Sequence, residues 1–268
     1  MPDRPWWPRS PADMAELLAL TPAATAVFWH GYFVFLRAGA MLSLLPAFGE
    51  RSVPMRVKLG LALMFTLIVA PAAPHLAVPE TPADLLWISM TETLTGSVIG
   101  IGLRLLVLAL QTAGSIAAQS TSLAQMVGGT VEPVPAMGYV LLVTGLALAV
   151  TLGLHIKAAH LLLATYRLFP PGALPDPTAL ADWGVRQVAS AFRLAFSLAV
   201  PFVVASFIYN LTLGVINRAM PQLMVAFVGA PFTTLGGLVL LLLATPIMLT
   251  HWLGALDTFL ANPIGAPK

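Results

Sequence analysis

The sequence predicts an all-α, multi-pass membrane protein made of kinked helical hairpins with about six apolar segments. Three observations lead there. Of 268 residues, 58% are hydrophobic and 9% charged, against roughly a quarter charged in a soluble domain; the mean hydropathy is +0.89. The apolar residues gather into stretches of helical length. Prolines and charges inside those stretches imply helices that pack against protein and not only against lipid.

The N-terminal segment "MPDRPWWPRSPADMAELLALTPAATA" has the arginines and the late Ala-Thr-Ala of a secretory signal, but Asp3, Asp13, Glu16 and Pro22 interrupt the pattern. It is expected to stay attached, with Trp6 and Trp7 at a membrane–water boundary. The apolar stretches run Ala23–Phe48, Lys58–Ala70, Leu85–Ile116, Tyr139–Phe169, Val188–Ile216 and Phe232–Leu260. A simple span takes about 20 residues; the second stretch is shorter and the next three are longer. Pro201 and Pro246 fall inside stretches and are expected to kink them, because each removes a backbone donor.

Arg37, Glu92, Arg104 and Arg193 also lie inside apolar stretches. At about 2.5 kcal/mol each, exposing the four to lipid would cost on the order of 10 kcal/mol, so they must face protein or water. Glu92 and Arg104 cannot pair on one straight helix, where they stand roughly 18 Å apart. Each needs a partner elsewhere, in this chain or another. The basic residues of the loops fall on both sides of a six-span arrangement, so they do not set an orientation.

The formal charge of +2 is small and its basic residues are scattered, which argues against nucleic acid as a partner. With no cysteine, disulfides, thiolate metal sites and cysteine nucleophiles are excluded. His155 and His160 sit about 140° apart around a helix, unlike an i, i+4 metal pair. The sequence has no HExxH, GxSxG or phosphate-binding glycine loop. No catalytic residue, cofactor or metal is assigned, and an enzyme or nucleotide-driven motor is disfavoured.

From Gln111 the chain reads "QTAGSIAAQSTSLAQMVGGTVEPVP". On a helix Gln111, Ser115, Gln119, Ser122 and Gln125 share an arc of about 120°. Gly128 and Gly129 then break the helix, and Pro133 and Pro135 keep it from restarting. Two readings fit this uncharged stripe: hydrogen bonds between packed helices, or the wall of an aqueous path that wets varied cargo without gripping it. Upstream, Gly96 and Gly100 form a GxxxG that permits close helix approach.

"LGVINRAMPQLMVAFVGAPF", Leu213–Phe232, resembles the signature region of the FliR family, the flagellar member of the type III secretion export apparatus. "FLRAGAMLSLLPAFGERSVPMRVKLGLAL", Phe35–Leu63, resembles that family's N-terminal region, and "LGLHIKAAHLLLATYRLFP", Leu152–Pro170, its middle region. One departure is visible: Gly153 and Leu154 precede His155 where the family often has Asn-Gly-His. Asn217 before Arg218 is more like flagellar than injectisome relatives.

The resemblance implies a structural and gating subunit of an export gate in the cytoplasmic membrane of a bacterium, within the flagellar basal body. Expected partners are FliP-like and FliQ-like subunits, FlhB and FlhA, with membrane lipid around them and unfolded flagellar proteins as cargo. Residues 1–185 are expected to be FliP-like and 186–268 a FliQ-like hairpin. By position, 119–135 matches the family's channel plug, placing Gln119, Ser122, Gln125, Met126, Gly128 and Gly129 there, with Gln111 and Ser115 facing the pore. Glu92, Arg104, Arg193, Asn217, Arg218, Pro221 and Gln222 are expected at contacts between subunits. The alternatives are the equivalent injectisome subunit, or a secondary carrier for a small solute, although no repeat relates the two halves of the chain.

Overall fold

Caps and prolines set where the helices begin and end in the computed structural model, which describes residues 11–121, 136–220 and 225–265. Side chains are described for 22–120, 137–220 and 235–265. The described residues form α1 Pro11–Leu44, α2 Met55–Val69 followed by a 3-10 turn Ala70–Ala72, α3 Pro82–Thr121, α4 Ala136–Thr151, α5 Leu154–Leu168, α6 Pro177–Ala219 and α7 Val225–Ala261. No strand occurs among them. Trp6 and Trp7, the loop 122–135 and the Pro221–Gln222 bend lie outside the described residues.

Three helices open on proline, whose missing N–H costs nothing at a first helical position. At α3, Thr81 Oγ1 accepts from Asp84 N at 3.1 Å while Asp84 Oδ2 accepts from Thr81 N at 3.1 Å, a reciprocal cap. At α6 the Asp176 carboxylate accepts from Ala179 N at 3.0 Å. These caps carry the helices past the apolar stretches, so α3 and α6 reach 40 and 43 residues.

The stretch Tyr139–Phe169 does not form one span. It breaks at Leu152–Gly153 into α4 and α5, bent by 73°. Gly153 adopts φ +82°, a backbone conformation that side chains with a Cβ rarely take. Pro201 and Pro246, where kinks were expected, lie within the continuous helices α6 and α7. Among the described helices five are long and apolar enough to cross a membrane, and the bent pair counts as a sixth.

The chain packs as two compact units. The described parts of Met1–Ser43, Arg51–Gly100 and Ala159–Pro175 form the first, and those of Leu44–Glu50, Ile101–Ala158 and Asp176–Lys268 the second. In the first unit, Phe33, Val34 and Met41 of α1, Phe65 and Val69 of α2, and Leu161 and Leu162 of α5 are buried. The Gly96 of the predicted GxxxG faces α1 so closely that a Cβ there would meet the Arg37 carbonyl oxygen.

The second unit is built on Trp252 of α7, fully buried, whose Nε1 donates to the Leu106 carbonyl at 2.8 Å. On α6 the buried positions Trp183, Gln187, Ala191, Leu194, Leu198 and Phe202 recur every three or four residues, a one-faced pattern that packs against α7. The turn after α1 also belongs here, and Ala47 sits in it at φ +66°. Ala47→Gly is expected to stabilise the protein by about 0.5 kcal/mol. It relieves about 1 kcal/mol of left-handed strain and gives part of this back as added freedom of the unfolded chain. The unfolding midpoint in detergent checks it.

Candidate functional site

The most constrained polar cluster lies in the first unit. Arg37 and Glu92 are 1% and 0% exposed and form a bidentate pair, with Nε to Oε2 at 2.7 Å and Nη2 to Oε1 at 2.9 Å. The remaining Arg37 nitrogen, Nη1, donates to the Phe169 carbonyl at 3.1 Å and the Thr165 hydroxyl at 3.4 Å. The Tyr166 ring lies under the guanidinium, 3.9 Å from Cζ, where the π face attracts the cation. Glu92 Oε1 also accepts from Gly172 N at 3.4 Å, and the Gly172 carbonyl accepts from Trp87 Nε1 at 3.0 Å.

Both partners are satisfied within the chain, so the cluster clamps α1, α3, α5 and the following segment together. Every nitrogen of the arginine fork is engaged within the chain, while the buried Tyr166 hydroxyl has no hydrogen-bond partner among the described residues. Glu92, expected at a contact with another subunit, is instead enclosed by its own chain.

Arg104 also finds its partner internally. In the second unit its Nη1 donates to Glu50 Oε1 at 2.5 Å, with side chains 26% and 15% exposed. Partial exposure leaves this pair open to further contacts, unlike Arg37–Glu92.

Of the polar stripe, Gln111 and Ser115 are half-buried and Gln119 is exposed. The Ser115 hydroxyl donates to the Gln111 carbonyl at 3.0 Å, within its own helix, so it needs no partner across a helix interface. At the adjoining Gly114 α3 meets α4 backbone to backbone: a Cβ there would lie 2.3 Å from Gly138 Cα. Ser122, Gln125, Met126, Gly128 and Gly129 fall outside the described residues. Asn217 and Arg218 are exposed at the end of α6, and Arg193 is exposed midway along it. The adjoining Pro221 and Gln222 are not described.

Residues 28–259, from α1 to α7, match the family described as "Bacterial export proteins, family 1". The chain belongs to this family. A protein from Caulobacter vibrioides, named flagellar biosynthetic protein FliR, is 35% identical over 227 residues, covering 82% of this chain and 89% of its own. The protein of the same name from Escherichia coli is 30% identical over 222 residues, 81% and 84% of the two chains. That of Bacillus subtilis is 25% identical over 227 residues, 80% and 85%. The resemblance carried by Phe35–Leu63, Leu152–Pro170 and Leu213–Phe232 is thereby shown.

The region matched to the bacterial export family contains the whole Arg37–Glu92 cluster. Sequence reasoning singled out both charges but did not join them, and it passed over Glu50, Thr165, Tyr166 and Gly172. The usable signal was opposite charge: Arg37 and Glu92 are the first cation and the first anion within the apolar stretches.

Proposed function

We propose that this chain is the FliR-type subunit of the bacterial flagellar protein-export apparatus, set in the cytoplasmic membrane and forming part of the path by which unfolded flagellar proteins cross it. The observation that carries this reading is 35% identity across 89% of a relative named flagellar biosynthetic protein FliR. The chemistry agrees with a structural role, since the most buried charges are used up in holding helices together. A small-solute carrier and an injectisome subunit are both less favoured, because the family match and the named flagellar relatives point elsewhere.

In this reading residues 1–185 form the FliP-like part, and 186–268, which take in most of α6 and all of α7, form the FliQ-like hairpin. FliP-like and FliQ-like subunits, FlhB and FlhA are the partners. Gln111 and Ser115 belong to the wall of the path, and residues 119–135 close it at rest. Arg193, Asn217 and Arg218 are assigned to subunit contacts, supported by their exposure on a helix that is otherwise strongly apolar. Arg104, already paired with Glu50, adds to such a contact through its exposed edge.

Purification of the tagged chain from a membrane extract tests the function. It should emerge in a large complex with FliP-like and FliQ-like proteins; emergence alone or as a small homo-oligomer would overturn the reading. Arg218→Glu is expected to block stable assembly, because a carboxylate would face acceptors suited to a five-donor fork. The loss should be about 3–5 kcal/mol at a buried contact. Native gels and motility decide it, and unchanged assembly would make Arg218 a solvated residue.

A further inference from the structure

α2 and its 3-10 turn, Met55–Ala72, form the least covered of the candidate spans, with 22% of that window buried. One side holds the buried Ala62, Phe65, Thr66 and Val69. The other presents Leu59, Leu63, Met64, Leu67 and Ile68, each about half exposed or more, over an arc of roughly 180° at helical spacing. From Leu59 to Ile68 that arc contains no hydrogen-bonding side chain. Thr66, the hydroxyl in this part of the helix, is buried and donates to the Ala62 carbonyl at 2.7 Å. A protein partner would be expected to find about one hydrogen bond per 100–200 Å². The exposed surface of α6, by contrast, mixes Arg193, Asn210, Asn217 and Arg218 among its apolar residues.

At the N-terminal end of the same arc stands Arg56, one turn before Leu59 and two before Leu63, with Arg51 in the preceding turn; both are exposed. Among the described residues neither has an ion-pair partner, and Glu50, the nearest acid in sequence, is held by Arg104. From Arg56 to Ile68 the helix rises about 18 Å, roughly the depth of one leaflet. A cationic head above an apolar strip of that length is the complement of an amphiphile with an anionic head.

We propose that this face binds an anionic phospholipid, with Arg51 and Arg56 on its phosphodiester and headgroup and its acyl chains along Leu59, Leu63, Met64 and Leu67. Arginine forks suit phosphate oxygens, and basic residues beside a bilayer favour anionic lipid. The inference does not depend on what the protein exports.

The chain has no cysteine, so Leu63→Cys offers a single site for a nitroxide label. The labelled protein, with whatever partners copurify, is placed in bilayers of phosphatidylethanolamine and phosphatidylglycerol. Collision with oxygen but not with a water-soluble nickel chelate is the expected result. Shielding from both would mean that protein covers α2 and would overturn the proposal. In nanodiscs of phosphatidylcholine with a little phosphatidylglycerol, native mass spectrometry of the wild type should show phosphatidylglycerol enriched on the protein. Arg51→Gln and Arg56→Gln should each lower that enrichment about fivefold, while Arg56→Lys keeps most of it. No enrichment in the wild type, or equal enrichment in the double glutamine variant, would overturn the proposal even if α2 faces lipid.

Discussion

Arg37→Ala is expected to destabilise the protein by about 3–5 kcal/mol, because it strands the Glu92 carboxylate with no exposed surface and no counter-charge. Glu92→Ala should cost a similar amount, since it strands the guanidinium. The paired change Arg37→Met with Glu92→Leu should recover most of the loss, as apolar replacements of buried ion pairs often do. With the double alanine variant added, the two single alanine variants form a double-mutant cycle whose coupling term isolates the pair. Unfolding followed in detergent or bicelles supplies the energies. A cost below about 1 kcal/mol for Arg37→Ala would mean that water reaches the pair, contrary to its burial.

Gly114→Ala should be nearly as damaging, at about 3 kcal/mol, by the upper range for overpacking. The added methyl would stand 2.3 Å from Gly138 Cα. That neighbour is backbone and cannot rotate away, so α3 and α4 would have to part. Gly138→Ala is expected to be milder, about 1 kcal/mol, because a Cβ there meets the nearest atom, Gly114 C, at 3.3 Å. The asymmetry is the test: an equal gain of about 1 kcal/mol from both changes would show that helix propensity, and not the crossing, sets the effect. Stability of both variants should be compared in one preparation.

The apolar stretches were readable because a membrane demands long runs without charge, and each of the six overlaps one or two helices. Helix starts were less so. The stretch beginning at Leu85 ignores the Thr81–Asp84 cap, which a hydropathy reading does not weigh though "TPAD" spells it. The break at Gly153 lies between residues as apolar as their neighbours, and a lone glycine among 21 does not announce a positive φ. For the charges, helical rise was enough to exclude Glu92 with Arg104. Choosing Arg37 for Glu92 required knowing which faces of α1 and α3 meet, a tertiary fact. The carbonyl of Phe169 and the amide of Gly172 were beyond reach, since backbone groups carry no residue identity.

The Arg37–Glu92 pair also sets a clock on biosynthesis. Its halves are 55 residues apart, and a ribosome working at roughly 5–20 residues per second needs about 3–11 s to make that length. During this interval α1 carries an intramembrane arginine whose carboxylate has not yet been made. Gly172, which also donates to Glu92, follows 80 residues later. Until Glu92 arrives, releasing α1 into lipid as an ordinary span leaves its charge unpaired, at about 2.5 kcal/mol. Keeping the first helix beside the insertion machinery until the third arrives would avoid a cost of about 2.5 kcal/mol, and would couple membrane integration to folding of the first unit.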